Sequence, residues 1–286
     1  MNAHPARPND MRETWNRLVL ALGRFPLQRA LNAAILVIAS LIGLGSFFYP
    51  FLLPQSGDQF NAMAHAQDAP LLFVVLVVLC LGAVLSSLAS GLMNAKLIAV
   101  LGILTAANAV LRGVPGPAGF TLIFLLPIIC GYAYGPTFGF LLGVFSLAVS
   151  AFLGFGVGPW LPYQMFSAGW VGLLSGLLPR LERHPRAEAF MLAVWGMILG
   201  FTFGILMNLW FWPYVFAAGQ SEMYWEPGLD LVNALKRYAV FYVFTSFWWD
   251  LLRAAGNFVL LLLFATPVLR LLRRFQQRFF FEVRSV

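Results

Sequence analysis

Long apolar segments alternate with short polar breaks along almost the whole chain. Each segment approaches the roughly 20 apolar residues that a helix needs to cross a bilayer. Turn-forming pairs such as Gly135-Pro136 and Gly158-Pro159 separate the segments. The pattern predicts an all-α, polytopic membrane helix bundle. We predict eight spans, at about residues 30–53, 70–92, 95–112, 118–134, 137–156, 161–179, 188–212 and 240–267.

The composition supports this class. Of the 286 residues, 60% are hydrophobic and only 10% are charged, whereas a soluble domain carries roughly 25% charged residues. The two cysteines, Cys80 and Cys130, lie inside apolar segments, where packing is the expected role. The composition therefore excludes a soluble domain.

The placement of the cations predicts the orientation. Fourteen of the 18 lysines and arginines fall on one side: five in the N-terminal tail, Lys96 in the second connection, three within 180–186 and five after residue 269. Because lysine and arginine concentrate in cytoplasmic loops, we expect a multi-pass protein of the cell membrane with both termini in the cytoplasm. The basic tails, 1–29 and 269–286, are expected to contact anionic lipid or a cytoplasmic partner, and not nucleic acid.

The sequence contains no motif for catalysis. The three histidines, His4, His65 and His184, lie apart in tails and loops, and there is no HExxH, GxSxG or P-loop pattern. We therefore predict that the protein is not an enzyme and has no metal site and no cofactor. Uphill transport would need energy from another protein, because the chain carries no nucleotide-binding motif of its own.

Polar residues inside the predicted spans are few and therefore informative. Asp250 and Arg253 stand three residues apart and predict a pair on one helical face, either a structural ion pair or a polar anchor for substrate. Asn257 follows one turn further along. Asn108 and Arg112 share a helix face at the end of the third span, where Arg112 is either a ligand contact or a marker of the membrane boundary.

The stretch GPWLPYQMFSAGW, Gly158–Trp170, stands between two apolar segments. Its aromatic residues fit either a planar ligand or an interfacial belt, and Trp160 leaves both interpretations open. Gln164 favours a pocket, since a belt does not need an amide. With Asn208 from the seventh span, the predicted substrate site comprises Asn108, Arg112, Trp160, Tyr163, Gln164, Trp170, Asn208, Asp250, Arg253 and Asn257.

Small residues recur at about four-residue spacing in the third span, at Ala95, Ala99, Gly102 and Ala106. Such a strip lets another helix approach closely. We expect it either to bind a partner or to pack inside the bundle.

Four stretches resemble a known family: AANAVLRG (106–113), GYAYGPTFGFLLG (131–143), GVGPWLPYQMFSAGWVG (156–172) and DLLRAAGN (250–257). Over roughly residues 95–275 the chain resembles the substrate-binding S components of energy-coupling factor (ECF) vitamin transporters. The Tyr-Gly-Pro turn followed by the Gly-Pro-Trp loop is the most specific part of this resemblance.

The resemblance implies a six-helix core, here 95–268, that captures a vitamin or vitamin precursor from outside beneath loops at 114–118 and 155–163. It also implies that the small-residue strip docks against an energy-coupling module, made of a transmembrane coupling subunit and two ATPase subunits. Cobalamin or a precursor is the first expected ligand and riboflavin the second. The alternatives are a membrane-embedded enzyme and a ligand-free structural or assembly subunit. Two additional N-terminal spans, within 30–92, depart from the family pattern.

Overall fold

The computed structural model describes residues 30–52, 64–114, 116, 119–215 and 222–279. Within these ranges the chain forms nine α-helices and no strands, which confirms the predicted all-α fold. The first helix ends in a 3₁₀ turn, and the seventh continues into one. In chain order the helices are α1 Ala30–Phe51, α2 Ala69–Ala89, α3 Ala95–Arg112, α4 Leu125–Tyr134, α5 Pro136–Phe152, α6 Leu161–Ser175, α7 Pro185–Phe211, α8 Leu231–Thr245 and α9 Phe247–Phe279.

Five of these helices, α1, α2, α3, α7 and α9, are long and apolar enough to cross a membrane. In contrast, α4, α5 and α6 have 10, 17 and 15 residues, and most of their side chains are buried. The chain is therefore a multi-pass membrane protein with a short inner layer of helices enclosed by longer ones.

The bundle has two distinct ends because successive core helices run in opposite directions. We call the end that holds Arg112 and Gln164 the site end. The α3–α4 loop and the start of α9 also lie there, since Gly119 contacts the carbonyl of Trp249. We call the opposite end, where Glu188 binds Arg273, the arginine end.

Glycine contacts bring α4, α5 and α6 together at backbone distance. A Cβ added at Gly131 or Gly139 would overlap the carbonyl of Gly172 on α6, and a Cβ at Gly143 would overlap the carbonyl of Ala168. Side chains are excluded from such contacts, which lets the helix backbones touch. These three helices therefore leave no space for a ligand along their shared contacts.

A second set of glycines joins α7 to α9. Gly196, Gly200 and Gly204 follow one another at four-residue spacing along α7, and we call them the internal strip. A Cβ at Gly200 would lie 3.0 Å from the Cα of Ala254, and one at Gly204 would overlap the carboxylate of Asp250. The two long helices are thus packed along their length through a face that carries no side chains.

The N-terminal helices α1 and α2 form a hairpin that packs against α6. Asn32 on α1 donates to Ser87 Oγ on α2 at 2.9 Å. A Cβ at Gly43 of α1 would overlap the rings of Phe166 and Trp170. The hairpin shares the main apolar core of the bundle, so it is a built-in part of the fold.

The predicted eighth span, 240–267, begins too early, because its first residues belong to α8 and the candidate span starts with α9 at Phe247. Ser246 interrupts the helical backbone with a φ of −133°. Its hydroxyl donates to Oδ1 of Asn208 on α7 at 2.6 Å. Because apolar residues continue through the break, hydropathy alone could not locate it.

The predicted fourth span, 118–134, begins too early. Residues 119–124, just before α4, are not in an α-helix, and Gly119 takes a φ of +83° against the carbonyl of Trp249. Phe120 follows and packs on Gly256 of α9, where a Cβ would overlap its ring. The α3–α4 loop therefore lies on α9 at the site end.

Candidate functional site

The ends of three helices meet at a half-buried arginine. α3 ends with Arg112, α5 carries Ser150 in its last turn and α6 carries Gln164 in its first turn. Arg112 donates from Nη1 to Ser150 Oγ at 2.8 Å and from Nη2 to Gln164 Oε1 at 2.9 Å. A guanidinium has five N–H donors, so donors remain after these two bonds. We call Arg112, Ser150 and Gln164 the arginine triad; it can bind a polar or anionic group.

The α5–α6 loop, residues 153–160, lies over the arginine triad. The ring of Phe155 packs on Gly113, where a Cβ would overlap it. Gly156 takes a φ of +112° and sits beside Arg112, with 3.9 Å between its added Cβ and Nη2. Glycine is needed at Gly156 because other residues rarely adopt that backbone conformation. The loop is thus shaped to cover the arginine.

Asn108 lies one turn deeper than Arg112 on the same face of α3, as their spacing predicts. It is fully buried, and its Nδ2 donates to the carbonyl of Ile123 at 3.0 Å. Its Oδ1 has no hydrogen-bond partner among the described residues. A buried polar atom without a partner costs roughly 1–3 kcal/mol, which makes this oxygen a candidate acceptor for a ligand.

Tyr163 belongs to a different polar cluster, which the N-terminal hairpin builds. Its hydroxyl donates to Asp68 Oδ2 at 2.6 Å and lies 2.6 Å from His65 Nδ1. Tyr49 donates to the same Asp68 oxygen at 2.9 Å. Trp160, half-buried, packs against this cluster. The predicted site residue Tyr163 therefore contacts the hairpin, and Trp160 of the α5–α6 loop packs against the same cluster.

His65 is a residue that the sequence analysis left without a role. It is 3% exposed and adopts a φ of +58°, which is uncommon for a residue other than glycine. Burial raises the pKa of the Asp68 carboxyl, but hydrogen bonds with His65, Tyr163 and Tyr49 outweigh burial and leave that pKa below its usual value. An ionised Asp68 thus ties the hairpin to α6. The one local signal is the i, i+3 spacing of His65 and Asp68.

Two further predicted site residues make contacts within the bundle. Trp170 Nε1 donates to Ser40 Oγ on α1 at 3.0 Å. Asn257 Nδ2 donates to the carbonyl of Gly196 on α7 at 3.3 Å. Neither side chain reaches the arginine triad through a described hydrogen bond.

Asp250 and Arg253 form the ion pair that their spacing predicts. Asp250 also accepts from the Tyr242 hydroxyl of α8 at 2.9 Å. The guanidinium of Arg253 lies 5.4 Å from the ring centroid of Phe203. Asn208, bonded to Ser246, lies beside this group and joins α7 to the α8–α9 break. These residues form a second polar group at the site end, which also anchors α8.

The sequence did not predict a network of hydrogen bonds around Glu188 at the arginine end. Glu188 is buried and accepts from Arg273 at 2.6 and 3.0 Å and from the Tyr132 hydroxyl at 2.8 Å. The Tyr132 oxygen in turn accepts from the backbone N–H of Leu181 at 2.9 Å. Its members come from α4, α7, α9 and the α6–α7 loop, so sequence spacing could not reveal it. The network ties these elements together at the end opposite the arginine triad.

An apolar cavity of about 480 Å³ lies beside the α5–α6 loop. Its walls come from the start of α2, the end of α5 and residues 157–162, all of them apolar. Small-molecule pockets combine apolar walls with a few placed polar groups. This cavity supplies only the apolar surface of such a pocket, and the candidate polar groups are those of the arginine triad.

The small-residue strip on α3 faces outward. Its four members, Ala95, Ala99, Gly102 and Ala106, are all exposed, and we call them the open strip. A Cβ added at Gly102 would meet no atom within 4 Å in the part of the chain that the structure describes. The strip therefore does not serve packing among these helices.

A family model described as "ECF transporter, substrate-specific component" matches residues 96–265, more than half of the chain. The chain belongs to this family. Members are transport subunits, not enzymes, and associate with an energy-coupling module. No curated protein and no solved structure matches the chain. The match begins within α3, so the α1–α2 hairpin precedes the family region of this S component.

Proposed function

We propose that this S component captures a vitamin or vitamin precursor at its site end, for uptake driven by two ATPases through a transmembrane coupling subunit. A cobalamin-type corrinoid is the first candidate ligand and riboflavin the second. The observation that carries the proposal is the arginine triad beneath the α5–α6 loop.

The chemistry of the triad supports a ligand site. A half-buried guanidinium is costly to hold away from water and is usually kept for function. Arg112 retains donors beyond its bonds to Ser150 and Gln164, and the N–H₂ group of Gln164 takes no part in those bonds. Corrinoids carry amide groups, and riboflavin carries ring carbonyls and hydroxyls. Either ligand offers acceptors for these donors, and the aromatic side chain of Phe155 offers a surface for stacking.

The opposite end of the bundle supports capture from the site end. The Glu188–Arg273–Tyr132 network ties α4, α7 and α9 together there, and glycine contacts close the inner helices against one another. With both termini in the cytoplasm, the site end faces outward. A cysteine introduced at Val157 should then react with an impermeant thiol reagent in intact cells, whereas one at Ala187 should not. The reverse labelling would contradict the orientation.

The ligand is identified by measuring melting temperatures in detergent over a panel of vitamins, because a bound ligand stabilises the folded state by mass action. Gln164→Ala then tests the site. We expect it to weaken binding by about tenfold to a hundredfold, as for the loss of roughly 1–3 kcal/mol from a buried hydrogen bond.

Gln276→Ala is a matched control, since Gln276 donates to the carbonyl of Ala133 at 3.0 Å near the arginine end. It removes the same side chain and one hydrogen bond, and should leave the ligand dissociation constant unchanged. An unaltered dissociation constant in Gln164→Ala, with a lower melting temperature of the ligand-free protein, would assign Gln164 to structure alone.

A further inference from the structure

The arginine end carries a cavity that plays no part in the proposed capture of substrate. It has a volume of about 530 Å³ and lies between the start of α7 and the last turns of α9. Three arginines line it, Arg183 and Arg186 from the α7 side and Arg270 from α9, together with Thr266. No acidic side chain is among its lining residues.

Among the described residues, these three arginines lack the counter-ion that Arg273 has. Arg273, one turn beyond Arg270, is paired with Glu188 and also lies 3.7 Å from Glu182. Across the ranges that the structure describes, no ion pair includes Arg183, Arg186 or Arg270. Like charges around one cavity repel, and an anion placed among them would remove that cost.

An apolar surface extends from the cavity toward the middle of the bundle. Phe190 stands one helical turn after Arg186 on α7, and Leu263 stands two turns before Arg270 on α9, so each shares a face with its arginine. Both apolar side chains are exposed, at 56% and 62%. In a membrane-spanning segment such side chains face hydrocarbon. The combination fits a molecule with an anionic head and apolar chains.

We infer that this cavity binds the phosphate headgroup of an anionic phospholipid, with the acyl chains lying along Phe190 and Leu263. Basic cavities at the ends of membrane helices favour such headgroups, because each arginine adds attraction to the anion. A free phosphate would satisfy the arginines and leave the apolar surface unused. The inference concerns the bilayer and does not depend on which substrate is captured.

The test uses the full-length protein in nanodiscs of phosphatidylcholine with increasing phosphatidylglycerol. Electron spin resonance of spin-labelled phosphatidylglycerol measures the lipid held by the protein, with spin-labelled phosphatidylcholine as reference. We expect saturable binding of phosphatidylglycerol, weakened about fivefold by Arg186→Gln and by Arg270→Gln. Arg274→Gln is the matched control, since Arg274 lies at the same end, is exposed and does not line the cavity. It should leave binding within about twofold of the unmodified protein.

Arg270→Lys distinguishes an effect of charge from an effect on folding. Because it keeps the positive charge, it should retain most of the preference for phosphatidylglycerol over phosphatidylcholine. Melting temperatures in pure phosphatidylcholine show whether each variant is folded. Equal losses of phosphatidylglycerol binding in Arg186→Gln, Arg270→Gln and Arg274→Gln would overturn the site. They would show that binding follows the overall positive charge of this end and not the cavity. Displacement of the labelled lipid by millimolar inorganic phosphate would indicate a free-anion site. Loss of co-purification with the coupling subunits, with the lipid preference intact, would assign the arginines to a protein partner.

Discussion

The internal strip on α7 and the open strip on α3 share one sequence pattern and differ in what covers them. A Cβ added to the internal strip at Gly200 or Gly204 would meet α9, whereas one added at Gly102 in the open strip would meet no atom of the described residues within 4 Å. Both patterns permit close approach of a second helix. The comparison shows that spacing of small residues predicts a contact without saying whether the partner is in the same chain. We propose that this strip, which no described residue covers, contacts the energy-coupling module.

The largest effect is expected from a bulky residue in the internal strip. Gly200→Leu would push side-chain atoms into the backbone of α9, which cannot move aside without separating the two longest helices. We expect destabilisation of roughly 3 kcal/mol or more, seen as loss of monodisperse protein in detergent and a lower melting temperature. An unchanged melting temperature would mean that α7 and α9 are not in close contact at Gly200.

A leucine introduced into the open strip should impair transport and leave the stability of the fold unchanged. Gly102→Leu adds methylenes to a face that meets no described atom, so the melting temperature and the ligand affinity should stay unchanged. Transport by the assembled complex should fall by about tenfold or more, because the added side chain holds the coupling subunit away.

Gly82→Leu controls for the bulk added to a membrane-facing helix. Gly82 on α2 is equally open, since an added Cβ would have no atom of the described residues within 4 Å. This variant should transport normally. A loss of transport equal to that of Gly102→Leu would extend the coupling surface to the hairpin, and normal transport in both would remove the open strip from coupling.

Replacing glycine with alanine should have the smallest effect on stability, and this effect should have opposite signs in the two strips. Gly200→Ala places a Cβ 3.0 Å from α9 and should destabilise by about 1–3 kcal/mol through overpacking. Gly102→Ala should stabilise by roughly 0.5–1 kcal/mol, since alanine loses less conformational freedom in a helix. Melting temperatures measured side by side in one detergent provide the comparison. Changes of the same sign would show that the two strips have similar surroundings.

Local patterns in the sequence predicted those features that depend on neighbours in the chain. The pair of Asp250 with Arg253 follows from a three-residue spacing on one helix, and the apolar segments follow from hydropathy. The open strip was also found by spacing, though its exposure was not predictable. The same test could have found the internal strip, whose glycines repeat at the same interval.

Contacts between distant segments could not be predicted in this way. Arg112 meets Gln164 across 52 residues, and His65 meets Tyr163 across 98. No periodicity relates such positions, because each depends on how the helices pack. The break at Ser246 was missed for a related reason: its hydroxyl bonds to Asn208 on another helix, while the apolar pattern continues unchanged.

The cluster that joins the hairpin to α6 also bears on the order in which the chain is made. His65 leaves the ribosome 98 residues before Tyr163, an interval of about 5–20 s at a synthesis rate of roughly 5–20 residues per second. During that time the hairpin is in the membrane without the hydroxyl that Asp68 and His65 will share. Asp68 then has only its partners within the hairpin, His65 and Tyr49, and burying a carboxylate with fewer hydrogen bonds is less favourable. Insertion of α6 then adds the Tyr163 hydroxyl to the cluster. The hairpin, made early in synthesis, therefore gains its last hydrogen-bond partner from a helix that is made later.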